Sequence, residues 1–331
     1  MTASAAPVVA VVGTGSIGSR HMDVFSRLGS KIVAIPQRRE RRRELEREGV
    51  ACAGALREAR DAFGAEAAVI CTDTSRHVAD TMEALRCGLH VLCEKPLASS
   101  SSAAGGLHEA ARAAERTVFV ACCLRFDRGL EAFRNNLADA GDLHSVRIEC
   151  RSWLPGWHPE RPYKESYSAR AGEGGALLDL VHEVDYALRF FGLPSQVHGE
   201  LINHGLLGIP VDETAAGTWR VPRGALISME LDFVSRANAR FVRAAGAQGE
   251  ISYDLVTRTL TRIRPGQSSR VERIPGALGD VYEAQSRAFL DFLSGGSPGE
   301  LATVEEGMNV LAVCDAWRRS SLTGCVEKVQ Q

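Results

Sequence analysis

Val8-Val9-Ala10-Val11-Val12 runs straight into Gly13-Thr14-Gly15-Ser16-Ile17-Gly18, and residues 17–28 then carry apolar side chains at helical spacing. A β-branched run, a glycine-punctuated turn and an amphipathic stretch, in that order, confine this part of the chain to strand, tight turn and helix. The first glycine permits the turn and the second lets backbone approach a pyrophosphate. The third lets helix pack on strand, which leaves the anion at the helix N-terminus. Outside this context the pattern would be a glycine-rich turn; within it, Gly13, Gly15, Ser16, Ile17 and Gly18 read as dinucleotide-binding residues.

The alternation continues. Further β-branched runs at residues 31–35, 67–71, 89–93 and 117–121 are separated by amphipathic stretches at 38–48, 76–86 and 100–115. Strand and helix in alternation predict a doubly wound parallel sheet. The serine run at 99–102 reads as the capping region of the last of those helices. After a predicted helix at 127–138, strand-like segments follow at hairpin spacing: 146–151, 214–221, 225–233, 239–245, 249–254 and 260–264. Gly246-Ala247-Gln248-Gly249 reads as a hairpin turn, and strands without intervening helices predict an antiparallel sheet. Helical patterns return at 281–293 and 304–321. The expected fold is α/β plus α+β in two domains, 1–122 and 123–331, in line with about 150 residues per domain.

Lys plus Arg number 39 against 41 Asp plus Glu. That balance argues against nucleic acid or an anionic membrane as the main partner, since both select a basic surface. Nine cysteines are scattered with no C-x-x-C pair, and several sit in apolar runs such as Val69-Ile70-Cys71 and Val91-Leu92-Cys93. They read as free thiols in a reducing compartment. Residues 1–7 lack a basic stretch followed by an apolar one, and no run reaches the roughly 18 apolar residues of a membrane span. A cytoplasmic location is the expectation.

The end of the second strand decides which dinucleotide is expected. NAD binding uses an acidic residue there for the ribose 2′-hydroxyl. Here the strand runs into Pro36-Gln37-Arg38-Arg39, with no carboxylate before Glu40. Guanidiniums pair with a 2′-phosphate that a carboxylate would repel. Gln37, Arg38 and Arg39 therefore predict NADP(H) in preference to NAD(H). Arg41, Arg42 and Arg43 read as a solvated helix face laced with Glu40, Glu44, Glu46 and Glu48.

Several motifs together resemble the Gfo/Idh/MocA oxidoreductase family. They are the glycine turn with His21, Ala67-Ala-Val-Ile-Cys-Thr72-Asp73-Thr-Ser-Arg-His77, and Gly88-Leu-His-Val-Leu-Cys-Glu94-Lys95-Pro96-Leu97. Leu124-Arg125-Phe126, the segment 172–185 and the C-terminal helices at 282–321 complete the likeness. The resemblance implies a Rossmann domain followed by a substrate-binding and oligomerisation domain. The second domain would hold a large, mostly antiparallel open sheet covered by helices, whose face-to-face packing implies a homodimer or homotetramer. It places Thr72, Asp73, His77, Glu94 and Lys95 at the cofactor, with a cis-proline after Lys95. Lysine in a partly desolvated site is a usable proton acceptor, so Lys95 is the first catalytic candidate.

The resemblance puts a proton-transferring or substrate-holding histidine at His182. If one helix follows Gly172-Glu173-Gly174-Gly175, then Asp179, His182 and Asp185 share a face at i, i+3, i+6. Asp179 and His182 are accordingly the other catalytic candidates. A zinc reading of His182-Glu183 fails because Tyr186 ends the would-be H-E-x-x-H, and no metal is expected. Arg125, Trp157, Tyr163 and Tyr167 are candidate substrate holders, indole and phenol groups being suited to a polyol; packing on a sheet edge is the equal alternative for the aromatic loop. Three departures from the family pattern stand out: His182 three rather than four residues after Asp179, Glu173 where a glycine is usual, and Cys123 where asparagine often stands. The activity implied is hydride transfer between a nicotinamide and a secondary alcohol or ketone of a sugar, cyclitol or sugar nucleotide. The rivals are reduction of an imine, dihydrodiol or biliverdin-like substrate, and a non-catalytic NADP-binding regulator.

Overall fold

The computed structural model describes residues 7–222 and 224–330, with the side chain of residue 278 also left out. Residues 1–6, most of the stretch read for a leader, lie outside the described residues. By proximity the chain divides into two compact units. One comprises residues up to Ala98, Ser102–Phe126 and Leu278–Gly307; the other comprises Ser99–Ser101, Asp127–Ala277 and residues from Met308 onward.

The first unit is built from β1 (Val8–Val12), α1 (Ser16–Arg27), β2 (Lys31–Ile35), α2 (Arg39–Arg47), β3 (Ala51–Cys52), α3 (Leu56–Phe63), β4 (Ala67–Ile70), α4 (His77–Arg86), β5 (His90–Cys93), α5 (Leu107–Ala113) and β6 (Val118–Val120). The strands lie in the order β6-β5-β4-β1-β2-β3, all parallel. This is the doubly wound order, whose ligand crevice lies beyond the carboxyl ends of β1 and β4 where the winding reverses. β1 and β4 are almost wholly buried, as strands covered by helices on both faces must be. Val9, Val11, Phe25, Leu45, Val69, Leu92, Phe119 and Phe289 form the core. β3 and α3 escape the sequence reading because the strand is two residues long.

A second difference concerns residues 100–115. Only Leu107–Ala113 are helical, and the helix starts from Gly106 in the left-handed region at φ +83°. The serines before it do not cap that helix. Ser101 instead bonds Asp315 through both its N–H and its hydroxyl.

The second unit contains α6 (Arg128–Asn135), β7 (Leu143–Trp153), α7 (Ala176–Asp179), α8 (His182–Phe191), β8 (Gln196–Ile202), β9 (Thr214–Arg220), β10 (Leu226–Asp232), β11 (Val234–Gly246), β12 (Gly249–Asp254), β13 (Thr259–Ile263) and β14 (Arg270–Arg273). After them come α9 (Leu278–Leu293) and β15 (Ala302–Thr303) of the first unit, then α10 (Val304–Thr323) and β16 (Glu327–Lys328). The sheet order is β14-β13-β12-β11-β7-β10-β9-β8-β16, antiparallel except for β7 beside β10. Gly246 pairs with Gly249 across a two-residue hairpin turn, as the sequence predicts. Alternate residues of β9 and β10 are buried, so one face carries the core. Trp317 lies on that face: a Cβ at Gly199 or Gly217 would come within 2.4 Å of its indole. β8 and β14 are not foreseen, β8 because Gly199 interrupts its pattern and β14 because all four residues are exposed.

Candidate active site

The glycine turn follows β1 and opens α1. Gly13 takes φ +85°, and a Cβ there would lie 2.6 Å from the Cys71 carbonyl oxygen at the end of β4. One at Gly18 would lie 1.9 Å from the Gly13 carbonyl oxygen. At Gly15, by contrast, a Cβ meets nothing within 4 Å, and Gly15 and Ser16 are exposed. Two glycines are thus required by the protein's own packing, and the third leaves open backbone at a helix N-terminus, where a pyrophosphate is held. The residues present fit a dinucleotide.

At the end of β2, Gln37, Arg38 and Arg39 are all exposed. Arg76 extends to Gln37 Oε1 and also pairs with Asp80 at 2.9 Å, while Asp80 accepts from the Thr72 hydroxyl at 2.7 Å. The sequence reading missed Arg76, which lies 39 residues from Gln37 along the chain. It also placed Arg41 on a solvated face. Arg41 does pair with Glu44 at 3.1 Å, but it also donates to the Thr14 carbonyl at 3.3 Å and the Ser19 hydroxyl at 3.1 Å, which ties α2 to the glycine turn.

Lys95 stands on the turn after β5, half-buried, and the Lys95–Pro96 bond is cis. The turn is braced on both sides. Glu94 Oε1 lies 2.8 Å from Nε2 of the fully buried His21, and Glu94 Oε2 accepts the Lys95 N–H at 3.2 Å. His77 is buried, with Nδ1 2.8 Å from the Pro96 carbonyl oxygen and Nε2 3.0 Å from that of Thr72. Burial opposes charge on His77, but Cys93 and the two carbonyls outweigh it and raise its pKa to about 9. The side chains of Glu94 and His77 therefore act on the turn that carries Lys95. Arg125 lies in a 3₁₀ turn and is buried, its guanidinium 2.8 Å from Glu306. Bonds from Thr303 and Arg125 outweigh burial and lower the Glu306 pKa.

In the second unit the Gly172–Asp185 segment differs from the single helix expected. Leu180 leaves helical geometry (φ −91°, ψ 27°), so α7 ends at Asp179 and α8 begins at His182. Asp179, His182 and Asp185 consequently do not lie along one helix face. Tyr167 donates to Asp179 Oδ1 at 2.7 Å, a pairing the sequence spacing could not show. Gly174 and Gly175 are sterically demanded: a Cβ would lie 2.1 Å from the Ser168 carbonyl oxygen and from Asp212 Oδ1 respectively. Glu173, before this pinch, does not take a positive φ, so its backbone makes no demand for a glycine. Glu183 is fully buried and holds Arg240 through two bonds of 2.6 and 2.9 Å, fastening α8 to β11 beside His182. Tyr163 donates to the Leu207 carbonyl at 2.9 Å, and Trp157 packs edge-on against Phe233 at 5.4 Å. Both residues of the aromatic loop thus have partners within their own unit.

A glycine turn at the switch point of a doubly wound sheet, followed by a second unit with an open mixed sheet, defines a two-domain nucleotide-dependent oxidoreductase architecture. The family model for the oxidoreductase family with an NAD-binding Rossmann fold matches residues 8–122, and that for the GFO/IDH/MocA C-terminal domain matches residues 138–252. The chain belongs to the Gfo/Idh/MocA oxidoreductase family. It is 29% identical to a 1,5-anhydro-D-fructose reductase of Ensifer adhaerens over 80% of each chain. It is 24% identical to a myo-inositol 2-dehydrogenase of Thermotoga maritima over 94% of this chain and 95% of that one. In fold it resembles a levoglucosan dehydrogenase solved with NADH and levoglucosan (TM-score 0.86, 19% identity, 98% of this chain and all of that one). An inositol dehydrogenase homologue of Azotobacter vinelandii solved with NAD+ is similar in fold (TM-score 0.87, 19% identity, 98% of each chain). Among the described residues no helix is long and apolar enough to cross a membrane.

Proposed function

We propose that this protein is a dehydrogenase that moves a hydride between a nicotinamide and a secondary alcohol or ketone of a sugar or cyclitol, with NADP(H) preferred. The observation that carries the reading is the bracing of Lys95: Glu94 with His21 and His77 with Pro96 fix the turn on which the amine stands. Effort of that kind on one turn suits a group that must meet a reacting atom. In the oxidative direction Lys95 takes the hydroxyl proton and returns it to solvent, while the nicotinamide ring supplies the acceptor for the hydride. His182, Asp179 and Tyr167 serve the substrate's hydroxyls; the Tyr167 bond to Asp179 keeps that carboxylate in place.

The substrate class rests on the relatives, whose names span an anhydro-sugar and cyclitols. The preference for NADP(H) rests on Gln37, Arg38 and Arg39, with no carboxylate at the end of β2. A homo-oligomer, a cytoplasmic setting and a division of work between residues 1–122 and 123–331 complete the reading. The test is Lys95→Ala, assayed with myo-inositol and 1,5-anhydro-D-fructose alongside cofactor binding by fluorescence. Loss of turnover by at least about a hundredfold with cofactor affinity retained supports the assignment; normal turnover refutes it.

A further inference from the structure

His77 has an acceptor at each ring nitrogen. The Pro96 carbonyl lies 2.8 Å from Nδ1 and the Thr72 carbonyl 3.0 Å from Nε2. A carbonyl oxygen cannot donate, and a neutral imidazole carries one N–H and one lone pair. In either neutral tautomer one lone pair would face a carbonyl oxygen in a site only 2% exposed, an arrangement that costs the full desolvation of an unmade bond. Only the cation satisfies both contacts. We propose that His77 is an imidazolium in the folded protein at neutral pH, and that it works as a positioning residue tying the Lys95–Pro96 turn after β5 to the Thr72 turn after β4.

The surroundings bear on both halves of the proposal. Asp80, one turn further along α4, accepts from the Thr72 hydroxyl and pairs with Arg76. The start of α4 therefore holds Thr72 at its hydroxyl through Asp80 and at its carbonyl through His77. From β5, Cys93 faces the ring and favours its charge, and the Pro96 and Thr72 carbonyls add to that; burial is the opposing influence. A second opposing influence is the helix itself, because His77 is the first residue of α4 and a cation is disfavoured at a helix N-terminus. Against these, Cys93 and the two carbonyls hold the charge, and the two carbonyls are what the strap consists of. Loss of the proton would free one of the two turns, Thr72 or Pro96, from the ring.

The positioning half rests on the proposed role of Lys95; the charge half does not. The experiment reads them separately on the full chain. Histidine-selective 15N labelling, with the His77 signal identified by its absence in His77→Gln, is expected to show both ring nitrogens protonated at pH 7.5. A single protonated nitrogen at that pH overturns the proposal; should the variant fold poorly, the His77 signal is assigned in the wild-type protein by the nuclear Overhauser contacts of its ring N–H protons with Pro96 and Thr72. For the second half, His77→Gln retains a single donor nitrogen, which reaches one of the two carbonyls and so keeps one strap. With NADPH and whichever of myo-inositol and 1,5-anhydro-D-fructose is turned over, kcat is expected to fall at least about tenfold while the KM for that compound changes less than about threefold. Unchanged kcat overturns the positioning role. If the wild-type chain turns over neither compound, the Lys95 reading and the positioning role fall together, and the nitrogen signals alone decide the charge.

Discussion

Glu183 and Arg240 form a two-bond ion pair whose carboxylate has no solvent exposure, and Glu183 is the neighbour of His182 at the start of α8. The carboxylate holds the Arg240 guanidinium above its ordinary pKa range against the opposing effect of burial. Removing one partner of such a pair leaves the other buried and unmatched. Glu183→Gln is expected to lower stability by about 3 kcal/mol, read as a shift of the urea midpoint. A matched apolar replacement of both residues should recover much of that loss while leaving α8 less firmly fixed. Turnover then reports whether His182 depends on the anchor.

The three glycines of the turn after β1 should behave differently from one another. Gly18→Ala forces a methyl to within 1.9 Å of a backbone oxygen, so the loop must move and stability must fall. Gly15→Ala meets nothing in the protein. It should leave the melting temperature within about 2 °C of wild type and yet weaken nicotinamide dinucleotide binding about tenfold or more, because the added methyl stands where a pyrophosphate approaches. Equal loss of stability in the two variants would contradict this division, and calorimetry with a binding titration separates them.

Much of this was legible in the chain because the strongest signals are local. The runs at 8–12, 31–35 and 249–254 match their strands residue for residue, and the Gly246 to Gly249 turn joins two strands as its composition requires. The misses share a physical cause, which is partners distant in sequence. Ser101 finds Asp315 across 214 residues, so a serine run that looks like a helix cap becomes an anchor. Arg41 reaches Thr14 rather than water. The break at Leu180 puts Asp179 and His182 on different helices, and Tyr167 is a partner of Asp179 that helical spacing cannot show. None of these contacts leaves a periodic trace.

The thiols offer an inexpensive check of the packing. Eight of the nine cysteines are buried and Cys325 is exposed. Burial pushes the Cys314 thiol up to about 12 and the Cys71 thiol well above its ordinary value, which keeps both protonated and unreactive near neutral pH. Titration of the native protein with a thiol reagent should modify Cys325 quickly and the remainder only on unfolding. Cys325→Ser should abolish the fast phase without changing the melting temperature by more than about 2 °C.

The cofactor preference can be tested at the end of β2. Arg38 and Arg39 are exposed, so neither is needed for the core, and Arg39 is the first residue of α2. Arg39→Asp would bring a carboxylate to the place where NAD-binding chains carry one, and an acidic residue is favourable at a helix N-terminus. NADPH binding should weaken by about a hundredfold and NADH binding should hold or improve, with stability unchanged within about 0.5 kcal/mol. Tighter binding of NADH than NADPH by the unmodified protein would overturn the assigned preference, while leaving the role of Lys95 intact.

The pH dependence of stability follows from His77. Its pKa in the folded chain is about 9, above the ordinary 6.5, so folding favours the protonated form. The resulting stabilisation is fully present below about pH 6.5 and is lost as the pH rises through about 9, amounting to about 3 kcal/mol at most for a shift of this size. Other groups also contribute to the pH dependence of stability, so the quantity to measure is the difference between wild type and His77→Gln in urea unfolding at pH 6 and pH 9.5. That difference should shrink at the higher pH. A difference that stays constant across the range would mean that His77 does not change its charge on folding, and the strap would then be held by a neutral ring.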